Sequence, residues 1–136
     1  MKAERFLKRA WAYESKIQRD REKLDTLKAS AYSVSGTAYS DRVQTSLEDR
    51  MSTKIGAIAD LKSQLIDDIV TCEEIKSEIL NQIHTLDDEP MEQVLYLRYV
   101  RCESYYTISE ETGYSLRNLH RLHNEAVAAL DRKLSA

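Results

Sequence analysis

The chain has 136 residues, with only 3 glycines and 1 proline, and 32% of its residues are charged. So few turn-forming residues argue against a sheet, and the length allows one or two small domains, so we predict an all-α fold. The net charge of −3 argues against a protein that coats DNA without regard to sequence, since such binding depends on neutralising phosphates. No apolar run is long enough for a membrane span, and no signal-peptide pattern is present, which predicts a cytoplasmic protein.

The first predicted helix carries apolar residues at the spacing of a coiled-coil seam and therefore needs a partner. The seam is interrupted by Asp20 and consists of Ala3, Phe6, Ala10, Tyr13, Ile17, Leu24, Leu27 and Ala31. Residues 1–30 also hold nine basic and five acidic side chains. This charge fits an auxiliary contact with phosphates, or simply a solvated helix face.

An uncharged, Ser-rich segment from Tyr32 to Ser40 contains Gly36 and predicts a turn. A long second helix follows, in which apolar residues recur at every third or fourth position, the period of a coiled coil. These residues are Leu47, Met51, Ile55, Ile58, Leu61, Leu65, Ile69, Cys72, Ile75, Ile79, Ile83 and Leu86. The two helices together predict a long N-terminal helical hairpin or coiled coil.

The predicted helices differ in length, about 43 Å for the first and about 63 Å for the second at 1.5 Å per residue. Folded back on the second helix, the first covers it only to about Cys72. Four apolar residues beyond that point need another surface, namely Ile75, Ile79, Ile83 and Leu86. We predict that they form a homodimer contact or dock on the C-terminal unit. The simpler alternative is internal core with no role in assembly.

A third helix is predicted from about Glu89 to Arg101. Asp87 or Asp88 can cap it, and Pro90 in its first turn loses no needed hydrogen bond. Its apolar residues are too many to form a single apolar stripe on one face of the helix. They are Val94, Leu95, Leu97, Tyr99 and Val100. We therefore expect this helix to pack beneath the helices that follow it.

The last predicted elements have the order of a helix-turn-helix. Ser104 can cap a helix from Tyr105 to Thr112, Gly113 can form the turn, and Ser115 can cap the final helix. The final helix repeats apolar residues at helical spacing, at Leu116, Leu119, Leu122, Ala126 and Leu130.

The opposite side of the final helix suits a DNA major groove. Arg can bind guanine edges and Asn adenine edges, and both also donate to phosphates. The candidate DNA contacts are Ser115, Arg117, Asn118, His120, Arg121 and Asn124. The alternative is a solvated face with no binding role.

Residues 86–130, LDDEPMEQVLYLRYVRCESYYTISEETGYSLRNLHRLHNEAVAAL, resemble region 4 of bacterial sigma factors and related small phage regulators. The matching residues are Leu97, Arg98 and Tyr99 in the leading helix, Ile108, Glu110, Gly113 and Ser115 at the turn, and Ala126 and Leu130 in the trailing helix. The chain departs from the family at Ser109, where Ala is common, and at Leu122 and Glu125, where Arg is frequent.

The resemblance implies a phage or prophage transcription regulator in the cytoplasm of a bacterial host. Residues 1–86, with a linker at 32–41, would oligomerise, and residues 87–136 would bind double-stranded DNA. We expect a homodimer that can also contact RNA polymerase. Two alternatives remain open, a small terminase-like DNA-packaging subunit and a sigma-like module that binds RNA polymerase rather than DNA.

Catalytic motifs are missing from the sequence, which has no glycine-rich phosphate loop and no nucleophile elbow. His120 and His123 lie close to one helix face, but no third metal ligand is indicated. Cys72 and Cys102 are isolated and fit reduced structural thiols. We therefore expect no enzyme, no cofactor and no metal site.

Overall fold

The computed structural model describes residues 2–35 and 41–136, and it describes side chains in residues 2–31 and 48–136. The all-α prediction is confirmed, since these residues form five helices and no strand. The helices are α1 (Lys2–Ser35), α2 (Asp41–His84), α3 (Glu89–Leu95, followed by a π-helical turn at Tyr96–Val100), α4 (Tyr105–Thr112) and α5 (Leu116–Ser135). None of the described helices has the length and apolar character that a membrane span requires.

Part of the predicted linker is helical in the structure. α1 continues to Ser35, so the predicted turn residues from Tyr32 to Ser35 are helical. Extending an existing helix costs little, and nothing before Gly36 stops it. The remainder of the predicted linker, residues 36–40, lies outside the described residues, and α2 begins at Asp41.

The described chain groups into two compact units, one of residues 1–13 with 71–136 and the other of residues 14–70. The predicted division at residues 86 and 87 differs from this grouping. The reason is a core that the first turns of α1 and the last turns of α2 share with α3 and α5. Its buried residues are Ala3, Leu7, Ala10, Ile75, Ile79, Ile83, Leu95, Tyr99, Ala126, Val127 and Leu130.

The four residues assigned to a dimer contact lie in this intramolecular core. Ile75, Ile79 and Ile83 are buried, and Leu86 is half-buried against the same cluster. The dimer assignment is therefore corrected, because these side chains already have partners within the chain. The sequence also left open docking on the C-terminal unit. In the structure these residues pack on α3 and α5 of that unit.

A second, smaller core holds α4 and α5 together, and the π-helical turn connects the two cores. The smaller core consists of Val94, Leu97, Ile108, Leu119 and Leu122. Arg101 N–H donates to the carbonyl of Tyr96 at 3.0 Å, five residues back, and this wide turn changes which way successive side chains point. Leu95 and Tyr99 enter the larger core while Val94 and Leu97 enter the smaller one. This explains why so many apolar residues fit on one short helix.

The unit of residues 14–70 pairs α1 with α2 in opposite directions. Lys16 Nζ lies 3.1 Å from Asp68 Oδ1, and Lys54 Nζ donates to Ser30 Oγ. From Lys16 to Ser30 the chain of α1 advances 14 residues, while the partners on α2 go back 14 residues, from Asp68 to Lys54. The two helices are therefore antiparallel. Ile17 and Leu24 are buried in this unit, and so is Asp20, the interruption noted in the seam.

Candidate nucleic-acid interface

The turn between α4 and α5 depends on a glycine. Gly113 has φ +80°, in the left-handed region, and its N–H donates to the carbonyl of Ser109 at 2.9 Å. A Cβ at this φ is strained, which explains why glycine stands here. Ser109 Oγ also donates to the carbonyl of Tyr114 at 2.6 Å. Ser109 therefore bonds across the turn through both its backbone carbonyl and its side chain.

Serine hydroxyls cap both helices, as the sequence predicts. Ser104 Oγ accepts from Thr107 N–H at 3.2 Å, and Ser115 Oγ accepts from Asn118 N–H at 3.1 Å. Each cap satisfies one backbone donor that a helix start leaves free, which contributes about 1 kcal/mol. The first turn of α5 is thereby fixed next to α4.

The α5 helix has a buried face and an exposed face. The buried residues are Leu119, Leu122, His123, Ala126, Val127 and Leu130. The exposed face begins at Ser115 and carries four of the predicted DNA contacts around one shallow depression. These four residues are Ser115, Arg117, Asn118 and Arg121. A single helix start therefore offers a hydroxyl, an amide and two guanidinium groups.

The other two predicted contacts interact mainly with neighbouring protein groups. His120 is exposed, but its ring lies 4.4 Å from the Tyr105 ring, between centroids. Asn124 Oδ1 lies 3.3 Å from Nδ1 of His123. Neither residue lines the depression.

Arg121 is held from both sides on the exposed face. Its Nε and Nη2 donate to Asn118 Oδ1 at 3.2 and 2.7 Å, and its Nη1 donates to the Glu125 carboxylate at 3.2 and 3.4 Å. The Arg121 and Glu125 side chains are 59% and 48% exposed, so this ion pair contributes little to stability but fixes a direction. Sequence reasoning did not find this arrangement, although the three-residue and four-residue spacings permit it.

No family model, curated protein or solved structure matches this chain. The interpretation of the site therefore depends on its own residues and geometry.

An aromatic cluster behind the exposed face connects α5 to α1. Tyr99 Oη lies 2.6 Å from His123 Nε2, and the rings of Trp11 and Tyr99 stack at 4.9 Å. The Arg98 guanidinium lies 4.6 Å from the ring centres of both Trp11 and Tyr105. Arg98 and Tyr99 thus support the candidate surface of α5 from inside the fold.

The two histidines that the sequence placed together have separate environments. His120 faces Tyr105 at the surface, whereas His123 is buried beneath it. Nothing in the described part of the chain gathers three or more His, Cys, Asp or Glu side chains around a potential metal position. His123 is four residues from Leu119, so the apolar spacing of α5 already indicated its burial.

Burial lowers the pKa of His123 below its ordinary value of 6.5, because the charged ring would lose its solvation. The hydrogen bond to Asn124 is the next-largest effect and raises the pKa, the charge of Arg98 lowers it, and Glu4 and His120 have smaller effects that raise and lower it respectively. Burial also raises the pKa of Tyr99 to about 12, so its hydroxyl remains a neutral donor to the histidine.

This shift predicts a pH dependence of stability. The folded state takes up a proton on His123 less readily than the unfolded state does, so the free energy of unfolding falls as the pH drops below about 6.5. Urea unfolding between pH 5 and 7.5 measures it. We expect the His123→Gln variant to be less stable than the wild type at neutral pH. On acidification its free energy of unfolding should fall by less than that of the wild type. His84→Gln, at an exposed position, is the matched control. Parallel pH profiles for wild type and His123→Gln would contradict the prediction.

Proposed function

We propose that this protein is a sequence-specific DNA-binding transcription regulator of the phage or prophage type, with α5 lying in the major groove of double-stranded DNA. One observation carries the proposal. The capped start of α5 gathers Arg117, Asn118 and Arg121 around one exposed depression, while the opposite face of the helix is fixed in the core.

The chemistry of this helix start fits DNA. A helix fills the major groove, and residues near its N-terminus reach base edges there. Arg and Asn present the donors and acceptors that distinguish base pairs, and exposed guanidinium groups also bind phosphates. Exposed acidic groups on the same two helices, Glu110 and Glu111 on α4 and Glu125 on α5, limit attraction to DNA of any sequence. We therefore expect binding whose specificity depends more on base contacts than on charge.

The experiment that tests the proposal is selection of bound sequences from a random duplex library at near-physiological salt, since specificity has meaning only at a stated salt concentration. We expect an enriched motif with the full chain and none with the Arg117→Ala/Arg121→Ala variant. A motif enriched equally by both proteins would contradict the assignment of α5 as the reading helix.

The proposal includes a homodimer, since two units reading two half-sites bind more tightly than one. The contact has to avoid the core residues of α2, and a second apolar stripe is exposed on the same helix. Ile55, Ile66 and Val70 are 58%, 61% and 52% exposed, and Ala59 is exposed between them. These positions are symmetric about residues 62 and 63. An antiparallel copy therefore places Ile55 opposite Val70 and Ala59 opposite Ile66, as a two-fold interface requires.

A charged pair of substitutions tests this dimer. Ile66→Glu/Val70→Glu places four carboxylates in the two-fold contact, and we expect its dissociation constant to rise at least about 10-fold. Sedimentation equilibrium at tens of micromolar measures the change. Gln64→Glu, on another exposed side of α2, is the control and should leave the dimer intact. A monomeric wild type, or a variant that dimerises equally well, would refute the contact.

A second candidate function is a sigma-like module that binds RNA polymerase rather than DNA. The observation that favours it is a groove between the end of α2 and α3, in which the aliphatic side chain of Leu80 and the ring of Tyr96 lie beside acidic groups. The carboxylates are those of Asp87, Glu89 and Glu92, and they fit a basic protein surface. Capture of polymerase without any enriched duplex would favour this function over the first.

A further inference from the structure

The exposed face of α5 contains a three-residue clasp around Arg121, formed by Asn118, Arg121 and Glu125. Asn118 Oδ1 accepts two N–H groups from one side edge of the guanidinium, at 3.2 and 2.7 Å. The Glu125 carboxylate accepts from Nη1 on the other side, at 3.2 and 3.4 Å. The long Arg121 side chain is therefore oriented before any ligand arrives, which reduces the rotational freedom lost on binding.

Counting donors shows what the clasp leaves free. A guanidinium has five N–H groups, one on Nε and two on each terminal nitrogen. Asn118 occupies Nε and one N–H of Nη2. Both Glu125 oxygens accept from Nη1 and not from Nη2, so we assign them to the N–H of Nη1 that points away from Nη2. One N–H on each terminal nitrogen remains, and these two point in parallel from the end of Arg121. Parallel donors match two neighbouring acceptors, which is the pattern of guanine O6 and N7 in the major groove.

The hydrogen bonds to Arg121 also limit what Asn118 can bind. Asn reads adenine by accepting from N6 and donating to N7 at once. The oxygen of Asn118 already accepts twice from Arg121, so the side chain keeps only its amide N–H groups as free donors. In this arrangement Asn118 serves as a positioning residue and does not read adenine.

We propose that the clasp makes Arg121 a dedicated reader of one guanine, with Asn118 and Glu125 as its positioning residues. This inference rests on the proposed function, because it names the base that the α5 helix recognises. Glu125 has a second effect. Its carboxylate offsets the charge of Arg121, which weakens binding to phosphates of any sequence. Guanine recognition then supplies most of the binding free energy that Arg121 contributes.

The first test replaces each guanine of the selected site in turn by 7-deazaguanine, which lacks the N7 acceptor. We expect one position at which wild-type affinity falls at least about 5-fold, as loss of part of a bidentate contact predicts. The Arg121→Ala variant should bind more weakly and should not respond at that position. Arg132→Ala, in the last turn of α5, is the charge-matched control and should respond as the wild type does. Fluorescence anisotropy with labelled duplexes measures each affinity.

The second test separates positioning from reading by the ratio of affinities for guanine and 7-deazaguanine. Asn118→Asp keeps an oxygen that accepts from Arg121 and should keep the ratio, whereas Asn118→Ala should reduce it. Glu125→Gln should raise affinity for duplexes without the site and steepen the salt dependence. An unchanged ratio in Asn118→Ala would overturn the positioning role.

The outcomes distinguish this inference from the proposed function. An enriched motif in which no guanine responds to 7-deazaguanine, or equal responses of wild type and Arg121→Ala, would overturn guanine reading while DNA recognition stands. A selection that enriches no sequence would overturn both.

Discussion

Residues 87–136, produced alone, are expected not to fold, although they contain the whole predicted DNA-binding unit. Six of the eleven buried residues of the larger core come from outside this range, from α1 and α2. Truncating one buried Ile to Ala typically costs about 2 to 5 kcal/mol, and a whole domain is stable by only about 5 to 15 kcal/mol. Losing Ile75, Ile79 and Ile83 together therefore costs about as much free energy as the whole unfolding free energy of a typical domain.

Circular dichroism and thermal unfolding of the fragment measure this effect. We expect low helicity and no cooperative transition for residues 87–136, and a cooperative transition for the full chain. The chain's single tryptophan, Trp11, stacks on Tyr99 and provides a second readout. Mixing a peptide of residues 1–13 with the fragment 71–136 should change its fluorescence, whereas mixing it with 87–136 should not. A sharp unfolding transition in 87–136 alone would contradict the shared core.

The Arg117→Ala/Arg121→Ala variant is expected to lose specific DNA binding almost completely. A bidentate Arg contact with a base contributes about 1 to 3 kcal/mol, so two such losses amount to roughly 30-fold to 10⁴-fold in affinity. Both side chains are exposed, so the free energy of unfolding should change by less than about 0.5 kcal/mol each. The loss would then reflect recognition rather than folding.

Competition binding with specific and random duplexes measures this loss. Contacts with bases should reduce the ratio of specific to random affinity, whereas contacts with phosphates should weaken both equally. Arg132→Ala removes the same charge from the last turn of α5 and should change affinity by only a small factor. If Arg132→Ala weakened binding as much as the double variant, the start of α5 would not be the reading surface.

Local chemistry made the helix boundaries of the C-terminal half predictable from sequence. Asp88 caps α3, with Pro90 in the first turn, and Ser104, Gly113 and Ser115 act as expected at α4 and α5. Each of these residues performs its role through atoms within a few positions of itself. The pattern of neighbouring residues therefore contains nearly all the information that the boundary needs.

Tertiary partners were not predictable in the same way. Periodicity placed Ile75, Ile79 and Ile83 on one face of α2, but a face does not specify what covers it. The seam assigned to α1 contained Phe6, whereas the structure buries Leu7 completely and leaves Phe6 half-buried. The clasp around Arg121 was missed for a related reason, since spacing shows which side chains can meet and not which hydrogen bonds they form.

The contact between the first and last turns of the described chain sets an order of events during synthesis. Ala3 N–H donates to Asp131 Oδ1 at 3.0 Å, across 128 positions of sequence. Synthesis proceeds from the N-terminus, so the apolar side of residues 3–10 waits for its partners on α5 until they leave the ribosome. A nascent chain that ends before α5 thus lacks both the proposed reading helix and the α5 side chains that pack on residues 3–10. Under the proposed function, chains still in production should therefore contribute nothing to DNA binding.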